Sequence, residues 1–374
     1  MPGSHFFSLN PNFMQHVVLK QVCGIDVSKD ELVVTLGRLT GALEKELYVR
    51  TTFANTLIGF ASLLTLVKKQ TSPDLPVRFT MEATGCYHEE LAFFLHDGDQ
   101  EVSIVLPNKM SAYMRTLETK TITDSTSADA ICRFSLERNY DLWQAPKGVY
   151  RTMRRLTRER SQIVEERTMV KNELHALEHG HQPLEGSLNR AKARIAFLET
   201  QEAEVLKDLK ALAKTDKDVQ AALVLLCSIV GVGTITALTV LGETAGFDLI
   251  RNRRQLTSLA GFDVVEKQSG TSVRGKTRIS KRGNRHLRSA MHFPALAAVR
   301  HDERFKAIYA RIMARHGIKM KGLVAIQRRL LELMYTVFKT QTPYDRQYLQ
   351  KDKAVIEDRP TQADHKDRLE HQNY

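Results

Sequence analysis

The sequence is poor in cysteine, in tryptophan and in long apolar runs. It has four cysteines and one tryptophan in 374 residues. The cysteines are scattered without the paired spacing of zinc ligands, so we expect reduced thiols in the core and neither a disulfide framework nor a zinc site. The most apolar segment, Val219 to Leu226, is far shorter than the roughly 18 residues that span a bilayer. The opening segment also lacks the features of a secretion signal, and we predict a cytoplasmic protein without a membrane partner.

Acidic residues are absent from the stretch between Lys267 and Arg300, although the whole chain has 43 Asp and Glu. The same stretch carries nine Lys and Arg, and the formal net charge of the chain is +12. Clustered cations bind a polyanion because neutralised phosphates release their condensed counterions. We therefore predict a nucleic-acid partner, contacted by Lys267, Arg274, Lys276, Arg278, Lys281, Arg282, Arg285 and Arg288.

A serine lies inside this basic stretch. Ser269 precedes Gly270 in a segment rich in Gly, Ser and Thr, which indicates a loop. A hydroxyl held among cations beside a phosphate is a candidate nucleophile, whereas most loop serines only cap or turn a loop. The residue type leaves both roles open. Ser280 is the second candidate, but the adjacent Lys281 and Arg282 favour phosphate positioning there.

The first half of the chain alternates strand and helix patterns. β-branched runs predict a hairpin at Val22–Val27 and Glu31–Leu36 and a third strand at Glu44–Thr51. Later runs predict helices at Asn55–Lys69, Tyr87–His96 and Asp124–Arg138, and strands at Val77–Met81 and Val102–Leu106. The order of three strands, helix, strand, helix, strand and helix is that of the ribonuclease H-like fold. We predict such an α/β domain over residues 20–146.

Three carboxylates occupy distinct places in this order. Asp26 lies within the first apolar strand, Glu82 directly follows the fourth strand, and Asp124 begins the last helix. A buried carboxylate needs a compensating partner, which is either a basic side chain or a metal ion. Mg²⁺ prefers carboxylate oxygens, and pairs of metal ions assist phosphoryl transfer. We therefore predict that the three residues hold Mg²⁺, with Mn²⁺ as a substitute.

The middle of the chain predicts two long helices. Apolar residues recur at helical spacing between residues 147 and 216, with a break at Gly180–Gly186. This pattern predicts a helical hairpin, or coiled-coil arm, for oligomerisation. A packed helical linker with a charged outer face is the alternative.

The remaining chain predicts a mostly α C-terminal DNA-binding domain over residues 217–342. Within it, Gly231 and Gly233 lie between two helix patterns. That arrangement fits either a helix-hairpin-helix that contacts DNA phosphates or an ordinary turn. Residues 1–19 are expected to be a flexible N-terminus and residues 343–374 a disordered tail.

Several segments together resemble the insertion sequence 110 (IS110) family of transposases. The acidic motifs are Gly24–Lys29, Met81–Gly85 and Lys120–Phe134, and the C-terminal motifs are Gly231–Gly233, Arg254–Gly261 and Ser269–Arg288. The first group resembles the family's acidic-tetrad domain, which is similar in fold to the Holliday-junction resolvase RuvC, and Piv-type DNA invertases share the pattern. The resemblance covers most of residues 20–300.

The resemblance implies a DNA transposase or site-specific recombinase of a mobile insertion sequence. It assigns Ser269 as the nucleophile of a covalent serine–DNA intermediate and the three carboxylates as metal ligands. The family pattern has a fourth acid three positions after the third, where this chain has Ser127. Either Asp129, two residues later, substitutes as a catalytic and metal-binding residue, or Ser127 and water complete the shell of an ion that commonly keeps several waters.

The resemblance also implies the partners. These are double-stranded donor and target DNA, a structured non-coding bridge RNA, and further copies of the chain in a dimer or tetramer, acting at the nucleoid of a prokaryotic cytoplasm. The residues themselves leave two alternatives open. One is a RuvC-like metal-dependent nuclease that uses water, with Ser269 structural. The other is a non-catalytic basic protein that binds nucleic acid and whose acids are only salt-bridged.

Overall fold

The computed structural model of the chain describes residues 17–83, 85–117, 123–248, 250–266, 268–269, 273–275 and 277–347, with the backbone alone at 268, 269, 273 and 274. The chain divides into two compact units, Met1–Ala145 and Pro146–Tyr374, and each unit has its own hydrophobic core. Most of the predicted flexible N-terminus (1–19) and of the predicted disordered tail (343–374) lies outside the described residues.

The first unit is a mixed five-stranded sheet with helices. Its elements are β1 (Val18–Val27), β2 (Glu31–Thr40), β3 (Lys45–Ala54), α1 (Leu57–Gln70), β4 (Val77–Glu82), α2 (Glu89–Asp97), β5 (Glu101–Val105), α3 (Pro107–Met114) and α4 (Asp124–Glu137). The strand order is β3-β2-β1-β4-β5. β1, β2 and β3 are antiparallel, while β4 is parallel to both β1 and β5. The predicted α/β order is confirmed, with α3 in addition.

Helix α3 escaped prediction because its apolar pattern is short. Pro107 occupies its first turn, where the missing N–H costs nothing. Met110 and Tyr113 are its buried residues, and the Tyr113 ring meets Phe134 of α4 edge-on, with 5.2 Å between ring centroids. Two buried side chains are too few to reveal a helical period in the sequence.

Helix α4 packs closely on β1, on the sheet face opposite the main core of this unit. Ile25 belongs to the main core with α1 and α2, whereas Val22 packs with Cys132 of α4. A Cβ on Gly24 would lie 2.5 Å from the backbone nitrogen of Cys132, so this approach of helix to strand requires glycine. Side chains alternate along a strand, and Asp26 therefore lies on the face that α4 covers.

The cysteine prediction is half wrong. Cys23 and Cys132 are buried as expected, but Cys86 and Cys227 are exposed, and all four are free thiols. Cys86 lies in a turn, where an apolar sequence context does not ensure burial.

Among its described residues, the second unit is helical apart from two small two-stranded sheets, in agreement with the predicted mostly α domain. Its helices are α5 (Gly148–Glu178), α6 (Glu185–Thr215), α7 (Lys217–Cys227), α8 (Thr234–Thr244), α9 (Arg253–Ala260), α10 (Arg285–Ala290), α11 (His292–His301), α12 (Glu303–His316) and α13 (Lys319–Thr340). Its strands are β6 (Val264–Val265), β7 (Gln268–Ser269), β8 (Val273–Arg274) and β9 (Arg278–Ile279), paired β6–β9 and β7–β8. Gly317, with φ of +67°, ends α12, and α13 begins two residues later.

Helices α5 and α6 form an antiparallel pair. Ion pairs join Lys171 to Glu199 near the tip and Arg160 to Glu202 nearer the base. Both helices belong to the same compact unit as the C-terminal helices. Helix α5 also packs on α8, since a Cβ on Gly242 of α8 would lie 2.9 Å from the backbone of α5. The coiled-coil character and the oligomerisation role of this pair stay predictions. Within the described ranges, no helix is long and apolar enough to cross a bilayer.

Candidate active site and nucleic-acid interface

Asp26 and Glu82 lie at the carboxyl ends of neighbouring parallel strands. β1 and β4 pair Ile25 with Met81, and the two acids are the next residues on each strand. Adjacent residues in register project from the same face of a sheet. Both side chains are half-buried. The end of β4 is held in place because the Ala83 N–H donates to the Val105 carbonyl at 2.9 Å.

Asp124 is fixed in the first turn of α4 by a capping box. The Thr123 hydroxyl accepts from the Thr126 N–H, and the Thr126 hydroxyl accepts from the Thr123 N–H at 2.8 Å. This exchange satisfies backbone donors that a helix start leaves free. A carboxylate in the first turn also interacts favourably with the helix dipole, so Asp124 is well placed as a charged residue.

The charges of the three acids act on one another. Burial raises the pKa of Asp26, and the nearby Asp124 carboxylate raises it further, although a backbone hydrogen bond opposes the shift. Burial likewise raises the pKa of Glu82, with a further contribution from Asp26. The structure therefore brings the three predicted carboxylates into one electrostatic group.

This group suits a divalent cation by its chemistry. None of the three acids forms a salt bridge with another described residue. A cation would relieve both the repulsion and the cost of burial, and hard oxygen donors are what Mg²⁺ prefers. Among the described residues, however, no three metal-binding side chains already surround a common point. The carboxylate oxygens are therefore suitable ligands for a metal ion, but they are not already arranged as a complete coordination shell.

Asp129 is held elsewhere on α4. Its carboxylate accepts from Arg50 through Nε and Nη2, each at 2.9 Å, and from the Thr35 hydroxyl at 2.8 Å. Arg50 and Thr35 lie on β3 and β2, the side of the sheet away from Glu82. The structure thus gives the partly buried Asp129 a basic partner, and does not bring it to the other three carboxylates.

Sequence patterns did not single out Asn55, which joins the two loops beside the acids. Its side-chain amide donates to the Ser28 carbonyl at 2.8 Å and to the Tyr87 carbonyl at 3.2 Å. Ser28 follows β1 soon after Asp26, and Tyr87 lies in the turn that follows Glu82. Asn55 therefore fixes the backbone on both sides of the carboxylate group.

Ser269 lies in the short hairpin of β7 and β8. Its backbone pairs with Val273, and Gln268 pairs with Arg274. Lys267 and Lys276 lie outside the described residues, as do the side chains of Ser269 and Arg274. The proposed roles of these four side chains therefore rest on the sequence.

Ser280, the second serine candidate, has a structural partner. Its hydroxyl donates to an Asp263 carboxylate oxygen at 2.6 Å and accepts from the Arg282 N–H at 3.2 Å. Backbone bonds from Ser280 to Asp263 and from Lys281 to Gly261 hold the same segment against the end of α9. The hydroxyl is thus used in fixing the loop, which weakens the case for Ser280 as a nucleophile.

A buried carboxylate that the sequence analysis missed anchors the basic segment. The side chain of Glu243 on α8 is 1% exposed and accepts from Arg158 of α5 at 2.6 Å. It also accepts from the Asn284 amide at 2.5 Å, and Asn284 caps the start of α10. Burial alone would raise the pKa of Glu243, but these hydrogen bonds outweigh it and hold the pKa below its usual range. The sequence did contain a sign of this role, since Glu243 is a lone acid on an otherwise apolar helix and such a residue needs a partner when it is buried.

The predicted DNA-contacting cations differ in exposure. Arg278, Lys281, Arg282 and Arg285 are exposed. Arg288 is half-buried and donates to the Ala260 carbonyl at 2.8 Å, so it also supports the fold. The four exposed cations are the ones best placed for a polyanion.

The two glycines between α7 and α8 have different surroundings. Gly231 has φ of +88°, and a Cβ there would lie 2.5 Å from the Pro294 carbonyl, so internal packing already requires glycine. Gly233 has open space around a Cβ and precedes the first residue of α8. Of the two, Gly233 offers a backbone that a phosphate could approach. DNA binding by this turn stays a prediction.

Two family models match the chain. A transposase model of the DEDD type of the IS110 family matches residues 23–183, and a model described as "Transposase IS116/IS110/IS902 family" matches residues 223–310. The first match includes all three carboxylates, and the second includes Ser269 and the basic segment.

Similar proteins agree with these matches. Pilin gene-inverting proteins of Moraxella lacunata and Moraxella bovis are each 25% identical in an alignment of 335 residues that covers 87% of this chain and 98% of theirs. The insertion element IS110 uncharacterized 43.6 kDa protein of Streptomyces coelicolor is 29% identical over 120 residues, 32% of this chain and 29% of that protein. The solved structure of T. thermophilus RuvC with a Holliday junction substrate aligns at 12% identity and a TM-score of 0.23, over 30% of this chain and 89% of RuvC, a likeness too weak to argue from.

Proposed function

Because the chain belongs to the IS110 family of transposases and is therefore a DNA-recombining enzyme, we propose that it breaks and rejoins DNA through a covalent link to Ser269. Asp26, Glu82 and Asp124 in the first unit would supply the metal-dependent part of the reaction. The observation that supports DNA cleavage is this group of carboxylates, whose charges raise one another's pKa values and which form no salt bridge among the described residues. The role of Ser269 rests on its match to the nucleophile position of the family.

The carboxylates would hold Mg²⁺, with Mn²⁺ as a substitute. The DEDD type of the matched domain is one that uses a divalent cation, and such a cation supplies stabilisation of the negative charge that develops on a phosphate. Asp26 and Glu82 are fixed by adjacent strand ends and Asp124 by a capped helix start. Rigid elements of this kind suit a catalytic group, because rate depends on held geometry.

Ser269 would act by exchange of phosphodiester bonds. Its hydroxyl oxygen bonds to the phosphorus, the bond from phosphorus to one deoxyribose oxygen breaks, and the serine proton ends on the leaving oxygen. The reverse exchange, with a deoxyribose hydroxyl from another strand, releases the serine and joins the new strands. Bond number is conserved, so rejoining needs no external energy source, and covalent catalysis divides one difficult step into two.

The basic segment would position the DNA backbone. Arg278, Lys281, Arg282 and Arg285 lie on a scaffold that Glu243 and the end of α9 hold in place. Contacts to phosphates orient a duplex without reading its sequence. The proposal therefore assigns site choice to another component, and the family resemblance suggests a structured bridge RNA that pairs with donor and target DNA.

The remaining partners are also proposals. Strand exchange needs two DNA segments, so a dimer or tetramer in the prokaryotic cytoplasm, at the nucleoid, suits the reaction. The Moraxella relatives are named for inverting pilin genes, and inversion uses the same breakage and rejoining on one DNA molecule. By analogy, this chain would act on donor and target duplexes.

An enzyme that uses water is the second proposed function. The match to a DEDD domain favours it, because a carboxylate site alone can support hydrolytic cleavage and leave Ser269 with a structural role. The third alternative, a DNA-binding protein without catalytic activity, has the least support, since the family consists of transposases.

The experiment that tests catalysis is strand cleavage by the carboxylate group. Purified protein, a candidate RNA from the flanks of the element and supercoiled DNA are incubated with Mg²⁺, with Mn²⁺ or with a chelator. We expect strand breaks that depend on the metal ion. The Asp26→Asn variant should make none, whereas the control Asp30→Asn, at an exposed acid, should cut like the wild type. Breaks that persist in chelator, or in Asp26→Asn, would contradict the assignment of the carboxylates.

A further inference from the structure

A cavity of about 500 Å³ opens in the second unit among α9, α12, α13 and the segment that follows α13. Its volume is within the range of small-molecule sites, roughly 300–1,000 Å³. None of the residues assigned above to strand transfer or to DNA contact lines it. The proposed reaction therefore leaves the cavity unexplained.

Three arginines from three different helices line the cavity. They are Arg253 on α9, Arg304 on α12 and Arg329 on α13. Two acids also line it, but one of them, Glu332, is already paired with Arg328 at 2.9 Å. The ion pairs of the described chain involve neither Arg253 nor Arg329. Convergent guanidinium groups are the usual protein ligands of phosphate.

Part of the lining is apolar, and we call this part the apolar wall. Phe305, Leu333 and Val337 contribute to it, and Phe305 and Val337 are buried. Tyr344 is held at two points, since its hydroxyl donates to Asp302 and its N–H donates to Ser228, each at 2.8 Å. A flat apolar group can pack against such a wall without reordering it.

We propose that this cavity binds a nucleotide, with its phosphate on the arginines and its base against the apolar wall. Cations beside aromatic and apolar side chains are the combination that holds single-stranded nucleic acid. A nucleotide within a strand and a free nucleotide have the same chemistry here. This inference rests on the proposed function in one respect: an enzyme that recombines DNA has a nucleic-acid strand at hand as the source of the nucleotide.

The test is photocrosslinking of the full-length protein to a hexanucleotide that contains 5-iodouracil, with the crosslinked peptides identified by mass spectrometry. Chelator is present throughout, so that strand cleavage does not occur. The cavity variant is Arg253→Ala with Arg329→Ala. The matched control is Arg311→Ala with Arg315→Ala, which removes the same charge from the exposed surface of α12. Circular dichroism checks that both variants fold.

We expect wild type and control to crosslink on the peptides that contain Phe305 or Tyr344. Loss of two charge-assisted contacts should lower that signal about tenfold or more in the cavity variant. Thr336→Phe, which fills the cavity and keeps the arginines, should lower it as well. Crosslinks that avoid these peptides, or equal losses in both arginine variants, would overturn the proposal.

Competition by thymidine monophosphate identifies the source. If it removes the crosslink, the cavity accepts a free nucleotide; if only an unlabelled hexanucleotide does so, the cavity accepts a strand. Both results support nucleotide binding. In the separate cleavage assay with Mg²⁺, Asp26→Asn should abolish strand breaks, whereas in the crosslinking test it should leave the crosslink unchanged. Failure of the proposed enzyme and failure of this site therefore give different results.

Discussion

Replacement of Asp26 by asparagine should stabilise the first unit without divalent cations and remove its stabilisation by Mg²⁺. Burial and the charge of Asp124 raise the pKa of Asp26, so its charged form is less favourable in the folded than in the unfolded chain. Asparagine keeps the shape and removes the charge. Asp30→Asn, at an exposed acid in the turn after β1, is the matched control.

The expected sizes follow from partial burial and from binding linkage. Solvent screens the half-buried Asp26, so the substitution should add no more than about 1 kcal/mol to the free energy of unfolding. For wild type, free Mg²⁺ at ten times its dissociation constant adds about 1.4 kcal/mol. In a unit of about this length, that gain raises Tm by roughly 3–6 °C.

The assay uses the single tryptophan of the chain, which lies in the first unit. The Trp143 ring packs on Phe93, with 5.0 Å between ring centroids, so thermal denaturation followed by its fluorescence reports on this unit. Wild type and Asp30→Asn should gain stability from Mg²⁺, while Asp26→Asn should not. An equal Mg²⁺ response in all three proteins, or a less stable Asp26→Asn in chelator, would refute the electrostatic reasoning.

The direction of the pH dependence is also fixed. A carboxyl whose pKa is higher in the folded chain binds protons more tightly there, so its contribution to stability is lost as pH rises from its ordinary value through the raised one. For Asp26 and Glu82 the ordinary values are 3.8 and 4.5. Above these values, the contribution of these two groups to stability in chelator should fall with pH, and apparent Mg²⁺ affinity should rise. An Mg²⁺ affinity that does not change with pH would contradict the coupling.

Three further substitutions test the packing around the sites by denaturant unfolding. Gly24→Ala should destabilise the first unit by about 1–3 kcal/mol, because the added methyl meets the backbone of α4; an unchanged midpoint would contradict that close contact. Asp129→Asn should cost about 1 kcal/mol through its partly exposed pair with Arg50 while leaving the Mg²⁺ response intact, whereas loss of that response would make Asp129 a ligand. Glu243→Ala should destabilise the second unit by about 2 kcal/mol, because two donors lose a buried acceptor, and Glu243→Gln should recover part of the loss.

The sequence was sufficient to place the three carboxylates because each is tied to a local element. Asp26 and Glu82 follow apolar strand patterns, and parallel pairing of β1 with β4 puts them side by side. Asp124 follows a threonine at a helix start, a pattern typical of capping. Element order was enough to bring together residues that are distant in sequence.

The roles of Asp129 and Glu243 could not be predicted, because their partners are distant in the chain and on other elements. Asp129 bonds to Arg50 on β3 and to Thr35 on β2. Glu243 bonds to Arg158 on α5 and to a loop amide. Periodicity gives the face of a helix but not which charged side chain meets that face. Such pairings depend on the packed structure.

The role of Gly231 in the Gly-x-Gly motif also could not be predicted from the sequence alone. A Gly-x-Gly between helices predicts a phosphate contact, but the positive φ and the close approach of α11 explain Gly231 by packing alone. The sequence gives the glycine and not the neighbour that requires it. Gly233 has open space around it, and its contact with phosphate stays a prediction.

The most direct test of the central claim is the search for a covalent protein–DNA adduct. Protein, Mg²⁺, the candidate RNA and end-labelled DNA are incubated, stopped in SDS and separated by electrophoresis, for wild type, Ser269→Ala and Ser280→Ala. The account predicts an SDS-resistant adduct in wild type and in Ser280→Ala, at a serine that mass spectrometry identifies as Ser269, and none in Ser269→Ala. DNA cut equally by wild type and Ser269→Ala, with no adduct in either, would contradict the serine mechanism and establish hydrolysis by the carboxylate site.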